Sequence, residues 1–380
     1  MRNTKYQQLA GILFAQKTQL LLEYNYMKKN FWEKLAAKRK PACNALPARN
    51  ASRIDAVGRS NAGRPFFVLA PMADVTDIAQ RQMLVKYGKP DVLYTEFVSA
   101  DGLTSEKGRE VLIKDLRFNK NEHPIVAQIF GAKPENIKKA AQLVKELGFD
   151  GVDINMGCPD KAIIKQGAGS ALMKNPTLAR EIIRAAKEGA GDMPVSVKTR
   201  IGFSKNEIET WLPELLAEKP AAITIHGRTK KEMSEVSAHW DVIKRAKEIA
   251  EGSGVLVIGN GDVESLEDGN KKAKKSGVDG VMVGRGIFGN PWFFNSKIKI
   301  ENIPLEERFA VMIEHAKLFE KELSFPNDGS KQGIKGFHVM KKHFKAYVSG
   351  FDGAKELRAK LMETENSGEV EEIIKKYLQK

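Results

Sequence analysis

The chain has 380 residues, of which 42% are hydrophobic and 29% charged, a balance typical of globular proteins with one large domain and an appendage, or with two domains. The formal net charge of +14 indicates a polyanionic partner, but residues 1–65 hold most of the excess, with 13 Lys/Arg against three Asp/Glu. The chain has only two cysteines, which argues against a disulfide scaffold. It has no run of the roughly 18 apolar residues that a membrane span needs, which argues against a membrane protein. We therefore expect a cytoplasmic chain.

Eight short apolar runs follow one another from residue 66, and a helical pattern separates each run from the next. The predicted strands are 66–70, 92–98, 125–130, 151–155, 195–199, 222–227, 255–260 and 280–284. Apolar strands that alternate with helices indicate a parallel sheet, and eight such units predict an α/β fold of the (β/α)₈ TIM-barrel type over residues 66–300. A doubly wound open sheet is the alternative. It is disfavoured because no GxGxxG opens the first unit, and "GRGIFG" at 284–289 follows the last strand.

The strand pattern stops near residue 300, and residues 301–380 predict a small helical domain. Before residue 66 the chain has no sustained period, so residues 1–65 predict an irregular, poorly ordered basic extension.

Polar residues follow the predicted strands, at the barrel edge where such folds carry their chemistry. Burying them without partners would be costly, so they imply a ligand or a dense network. They include Pro71-Met72, Gln128, Asn155, Cys158, Lys198, Arg200, His226, Arg228, Asn260-Gly261-Asp262 and Gly284-Arg285.

Two glycine-containing loops, "GNGD" after strand 7 and "GRG" after strand 8, lie where such barrels bind phosphate groups, and Arg285 would add a charge there. The alternative is that these glycines serve turn geometry alone. Lys198 and His226 end neighbouring strands and together would face an electron-rich ring. Taken singly, His226 would be a core histidine and Lys198 half of an ion pair.

Cys158 lies in a Gly/Pro loop after strand 4, where four roles are open. A metal ligand is disfavoured because no second cysteine or close histidine accompanies it, and a nucleophile would need an adjacent base. A proton donor needs only a thiol of ordinary pKa. An inert buried cysteine is the remaining reading.

The successive motifs resemble those of the tRNA-dihydrouridine synthase family. They are "APMADVTD", "TEFVSADGL", "QIFGAKPE", "DINMGCPDKAIIKQGAGSALM", "VSVKTRIG", "ITIHGRT", "NGDV" and "GVMVGRGIFGNPW", and the tail "MKKHFKAYVSGFDGAKELR" is similar to the family's C-terminal domain. The resemblance implies FMN-dependent reduction of one tRNA uridine to dihydrouridine, with NADPH as hydride source. Hydride would pass from reduced flavin to C6 of uracil, and Cys158 would give a proton to C5.

The resemblance also implies roles for the strand-end residues. Asn155 would help hold the base, and Arg200 and Arg228 would orient flavin or substrate. The flavin would be contacted at its ring by Lys198, His226, Gln128 and the Pro71-Met72 backbone, and at its phosphate by Asn260, Gly261, Asp262, Gly284 and Arg285.

A tRNA substrate requires a second binding surface, because a uracil must be flipped out to enter a barrel mouth. Residues 329–350 contain no acid, and Lys331, Lys335, His338, Lys342 and Lys345 recur at helical spacing. We expect this face of the helical domain to bind tRNA, with Lys335 and Lys342 among its contacts, or else to be merely solvated. We expect a monomer without a metal ion.

Two features depart from the family pattern. The basic extension separates "NFWEKL" from the first strand, and its role is open between added RNA affinity, a processed leader and a different start site. The loop "KKEMSEVSAHWDVI" replaces an expected Gly-Pro-Ala-Asp run before Trp240. The competing functions are an FMN reductase of a free pyrimidine, similar to dihydroorotate dehydrogenase, and an RNA-binding protein that keeps the barrel as a scaffold.

Overall fold

A computed structural model describes residues 30–39, 64–324 and 334–379. The chain divides into two units, residues 1–64 and 65–380. In the first unit a helix spans Phe31–Arg39, and Asn30 caps it, since its side chain accepts from Glu33 N and its own N–H donates to the Glu33 carboxylate. The rest of the predicted extension up to residue 63 lies outside the described residues, as does Lys331.

Eight strands form the centre of the second unit, and each matches a predicted strand. They are Phe66–Leu69 (β1), Leu93–Ser99 (β2), Ile125–Phe130 (β3), Gly151–Met156 (β4), Val195–Arg200 (β5), Ala222–His226 (β6), Leu256–Asn260 (β7) and Gly280–Val283 (β8). All pair in parallel, in the order β1-β8-β7-β6-β5-β4-β3-β2. A bridge between Val68 and Val92, with Leu69 N donating to Val92 O at 3.0 Å, joins β1 to the start of β2. The strand order therefore closes on itself, and the predicted (β/α)₈ barrel is confirmed.

Helices connect the strands, and most of them bury apolar residues in the barrel core. They span Ile78–Tyr87, Ala100–Thr104, Glu106–Leu112, Pro134–Glu146, Lys161–Lys165, Pro176–Ala190, Ile208–Ala217, Trp240–Ile249 and Leu266–Ser276. The helix Pro134–Glu146 shows why these segments are helical. Proline occupies its first turn, and Ile137, Ala140, Ala141 and Val144, at helical spacing, are all buried in the barrel core.

Helices after residue 300 pack against one side of the barrel. They span Leu305–Phe319, Lys341–Tyr347, Ala354–Leu361 and Ser367–Leu378, with a 3₁₀ turn at Phe337–Met340. Their core includes Phe337 and Phe344 and continues into the barrel through Met83 and Trp292. The helical spacing predicted from Lys331 to Lys345 was wrong at residues 334–336, where a bend at 334–335 precedes the 3₁₀ turn. Among the described residues no helix is long and apolar enough to cross a membrane.

A pair of buried histidines lies in the helical core, His315 and His343, with ring centroids 4.7 Å apart. Neither ring nitrogen of His343 has a hydrogen-bond partner within the described protein. Burial, His315 and Lys342 hold the pKa of His343 well below its usual range, and burial lowers the pKa of His315 to about 3. Both rings are therefore neutral in the folded state.

We expect His343→Leu to gain stability over the wild type as the pH falls. The pKa of His343 is depressed in the folded protein, so its ring stays neutral there. In the unfolded chain the same ring takes up a proton once the pH falls below the ordinary histidine pKa near 6.5. Removing the ring removes this cost, so the difference in unfolding free energy should grow by about 2 kcal/mol between pH 7 and pH 5. Urea denaturation at several pH values measures it. His338→Leu, at an exposed position, is the matched control, and equal pH dependence in both variants would contradict the expectation.

Candidate active site

A cavity of about 730 Å³ opens at the carboxyl ends of the strands. Its size lies in the range of small-molecule and cofactor sites. Fourteen of the sixteen predicted site residues line this cavity, and the exceptions are Lys335 and Lys342. The barrel topology is the cause, because every parallel strand delivers its last residues to the same rim.

The Cys158 loop is built on side chains of its own strand. The Asn155 Oδ1 atom accepts from the backbone N–H of Gly157 at 3.1 Å and of Cys158 at 2.9 Å. The Asp160 carboxylate then caps the short helix Lys161–Lys165. Burial raises the pKa of the Cys158 thiol above its ordinary value, and a hydrogen bond with the Asp160 backbone opposes this shift only in part. The thiol is therefore protonated at neutral pH and is suited to donate a proton.

Lys198 and His226 lie on neighbouring strands in the cavity wall. The Lys198 Nζ atom donates to Asn260 Oδ1 at 3.2 Å, and burial together with the nearby Arg200 charge lowers the pKa of Lys198 to about 8. Burial and the surrounding cations lower the pKa of His226 well below its usual range, so the ring is neutral. Arg228 Nη1 lies 3.1 Å from His226 Nε2, and since an arginine only donates, Nε2 accepts and Nδ1 carries the hydrogen. The cavity lining therefore includes a cation, Lys198, and a neutral imidazole, His226, whose Nδ1 is a hydrogen-bond donor.

The loops after β6, β7 and β8 meet at the carboxylate of Asp262, which contacts one arginine from each of the other two loops. Asp262 accepts from Arg228 Nη2, from Ala238 N at 2.8 Å and from Arg285 Nη2 at 2.9 Å. The Arg285 side chain is 63% exposed, so its guanidinium is accessible to a ligand even while it contacts Asp262. Gly261 has φ +129°, and a Cβ there would lie 2.5 Å from the Ala238 Cβ. These contacts give Asp262 the geometry of a residue that orients the two arginines rather than one that touches an anion.

Arg200 holds two loops together at the cavity rim. It is buried, and it donates to Gly157 O at 2.9 Å and to Thr229 O and Met233 O at 3.0 Å each. Arg228 is also buried and donates to Val236 O. Both arginines line the cavity, but their donors fix the loop after β6, the segment that departs from the expected pattern.

Some lining residues escaped the sequence reasoning, among them Phe97, Met233 and Ser234. Phe97 follows Glu96 near the end of β2, and the strand-end rule would have found it had it been applied to that strand. Met233 and Ser234 lie in an irregular loop without periodicity, where φ of Met233 is +53°, and no sequence signal marks them.

Lys335 is not where the sequence predicted it. It lies in the bend before the 3₁₀ turn, and its Nζ atom contacts Glu96 at 2.6 and 2.7 Å and Asp74 at 3.2 Å. The Lys335 side chain is only 11% exposed. Tertiary pairing with barrel carboxylates overrides the helical spacing, so Lys335 links the helical part to the barrel rather than standing on an exposed face. Lys342 remains exposed on its helix, 3.9 Å from Asp74.

The comparisons of this sequence with known proteins agree on one family. The sequence profile described as "Dihydrouridine synthase (Dus)" matches residues 68–380. The protein named probable tRNA-dihydrouridine synthase 2 of Bacillus subtilis (strain 168) is 41% identical over 322 residues, which cover 83% of this chain and 96% of that protein. A probable tRNA-dihydrouridine synthase of Staphylococcus aureus (strain Mu50) is 40% identical over 317 residues, covering 83% and 93%.

Solved structures give weaker matches. Morphinone reductase aligns with a TM-score of 0.45 at 13% identity, over 60% of this chain and 84% of that one. Histamine dehydrogenase from Rhizobium sp. 4-9 aligns with a TM-score of 0.46, also at 13% identity, over 66% and 48%. These likenesses add nothing to the assignment, which stands on the profile and the sequence relatives: the chain belongs to the dihydrouridine synthase family.

Proposed function

We propose that this enzyme reduces a uridine in tRNA to 5,6-dihydrouridine, with FMN as its cofactor and NADPH as the reductant. One observation carries the proposal: a protonated thiol, Cys158, shares one cavity with Lys198, His226 and the two glycine loops. Family membership supports the same reaction.

The donor set of the cavity fits FMN. Lys198 and the Nδ1–H of His226 suit the electron-rich edge of a flavin ring, and Pro71 and Met72 supply an apolar wall. The exposed Arg285 and the glycine loop after β8 suit a phosphate group. FMN, when bound and reduced, supplies a hydride to the substrate.

Cys158 then supplies the proton. Its thiol is partly exposed, lines the cavity and carries a hydrogen at neutral pH because burial raises its pKa. We propose that the thiol protonates C5 of the uracil while hydride reaches C6. Asn155, which lines the same cavity, would help to hold the base.

The tRNA itself needs contacts outside the cavity, because the target base must leave its stack. His338, Lys342 and Lys345 are exposed in the helical part. No acid occurs between residues 329 and 350, so this surface is suited to phosphate contacts. We propose it as a tRNA-binding face. Action as a monomer in the cytoplasm, without a metal ion, stays a prediction.

The test uses tRNA that lacks dihydrouridine, incubated with the purified protein and NADPH, then digested and analysed by mass spectrometry. Uridine that gains two hydrogens supports the proposal. Reduction of free pyrimidines without tRNA by a yellow preparation would favour the small-molecule reductase instead. Tight tRNA binding without any base reduction would favour an RNA-binding scaffold.

We expect Arg285→Ala to weaken FMN binding about 10- to 100-fold, since one or two charge-assisted hydrogen bonds to phosphate are lost. Quenching of FMN fluorescence during titration of the apoprotein measures the dissociation constant. Arg184→Ala, an exposed arginine on the helix Pro176–Ala190, is the control and should leave the constant unchanged. An unchanged constant in Arg285→Ala would argue against phosphate binding after β8.

A further inference from the structure

Beneath the cavity a buried carboxylate begins a chain of hydrogen bonds that ends at the backbone of Cys158. Asp153 Oδ2 accepts from Gln128 Nε2 at 2.7 Å, and Gln128 Oε1 accepts from Asn155 Nδ2 at 2.9 Å. Asn155 Oδ1 then accepts the N–H groups of Gly157 and Cys158. Asp153, Gln128 and Asn155 are all buried. The strands cause this arrangement, because Gln128 and Asp153 are paired across β3 and β4, and Asn155 follows Asp153 by two residues on the same face.

The direction of every bond in this chain is fixed. Backbone N–H groups only donate, so the oxygen of Asn155 must face the loop and its nitrogen must face Gln128. Gln128 must therefore present its oxygen to Asn155 and its nitrogen to the next group. Only an acceptor satisfies that nitrogen, and the Asp153 carboxylate is one. Ser196 Oγ donates to the other oxygen, Oδ1, at 2.6 Å, so both carboxylate oxygens accept.

We propose that Asp153 is a positioning residue for Cys158: by fixing the amide orientation of Gln128, and through it Asn155, it holds the Cys158 loop in one conformation. The chain of hydrogen bonds is a feature of the folded structure, whereas its consequence for catalysis rests on the proposed function. The essential property of Asp153 in this role is a hydrogen-bond acceptor at the position of Oδ2, not its negative charge.

Two substitutions at Asp153 separate these properties. Asp153→Asn keeps an acceptor for Gln128 Nε2, while its amide nitrogen can donate to Ser196 Oγ. Asp153→Val introduces a β-branched residue that suits a strand, but it leaves Gln128 Nε2 without its acceptor. Both variants remove the negative charge, so any effect of that charge on the Cys158 thiol is common to them. Thr224→Val is the matched control, because Thr224 is buried on β6 and its hydroxyl has no partner within the described protein.

The experiment measures how fast iodoacetamide alkylates Cys158 in the flavin-loaded protein, with the modified peptide read by mass spectrometry. We expect alkylation of Asp153→Val to be about tenfold faster than that of Asp153→Asn, which corresponds to the loss of roughly one hydrogen bond from the loop. Asp153→Asn and Thr224→Val should stay within about twofold of each other and of the wild type. If Asp153→Val does not fold, Gln128→Met interrupts the same chain at its next link and should give the same acceleration.

Equal rates in the folded Val and Asn variants would overturn the proposal, as would an equal acceleration in Thr224→Val. The measurement needs neither tRNA nor a reductant. Its outcome is therefore independent of whether the tRNA assay succeeds, and flavin absorbance checks that each variant keeps its cofactor.

Discussion

Cys158→Ala is expected to lower the rate of dihydrouridine formation about 10²- to 10⁴-fold, the range that a positioned general acid contributes. The thiol is the proton donor in the proposed reaction, and its burial keeps it protonated at neutral pH. Reduction of the flavin by NADPH does not use this proton. The variant should therefore bleach its flavin at the wild-type rate and fail only when tRNA is added.

Stopped-flow absorbance of the flavin, with NADPH first and tRNA second, separates the two half-reactions. Cys43→Ala is a control of the same substitution type, because Cys43 is the other cysteine in the sequence. The wild-type rate with tRNA should show no loss from thiol ionisation through neutral pH, since burial raises the pKa of Cys158 above that of an ordinary cysteine and keeps the thiol protonated. Loss of both half-reactions in Cys158→Ala would assign the thiol to flavin binding instead of proton transfer.

The barrel could be predicted because its strands are buried on both faces and read as apolar runs between helices. The same regularity gave most of the cavity, since parallel strands bring their last residues to one rim. Asn155, Lys198 and His226 were found this way. The fold rule assigns residues to a rim, but it does not say which groups they will bond.

Pairing across the tertiary structure accounts for what the sequence missed. Lys335 has the spacing of an exposed helical face, yet barrel carboxylates more than 230 residues away in sequence determine its position. Asp153 lies inside an apolar strand, and its importance depends on Gln128 and Ser196 from two other strands. The strained loop around Met233 is held by Arg200, and no local pattern records that contact.

The Lys335 contact is the basis of the largest stability effect that we expect. Its Nζ atom lies 2.6 and 2.7 Å from the two oxygens of Glu96, whose side chain is only 8% exposed. Asp77 and Asp115 lie in the same cluster. Burial and then Glu96 raise the pKa of Asp77 to about 7 and that of Asp115 to about 6, while Lys335 opposes both shifts. Removing the cation therefore leaves several partly buried carboxylates uncompensated.

Lys335→Met, which keeps the apolar stem and removes the charge, should lower the free energy of unfolding by about 3 kcal/mol at pH 8. Raised folded pKa values mean that stability is present at low pH and lost as the pH rises, so the loss in this variant should shrink as the pH falls toward 5.5 and the carboxylates bind protons. Urea denaturation at pH 8 and 5.5 measures both numbers. Lys342→Met is the matched control, because the Lys342 side chain is 39% exposed and its Nζ atom lies 3.9 Å from Asp74, so the free energy of unfolding should change by no more than about 0.5 kcal/mol.

Adding Glu96→Gln to Lys335→Met should restore part of the lost stability, because the buried carboxylate charge is then gone as well. Equal effects of the two lysine substitutions would mean that the helical part is held to the barrel by its apolar core alone.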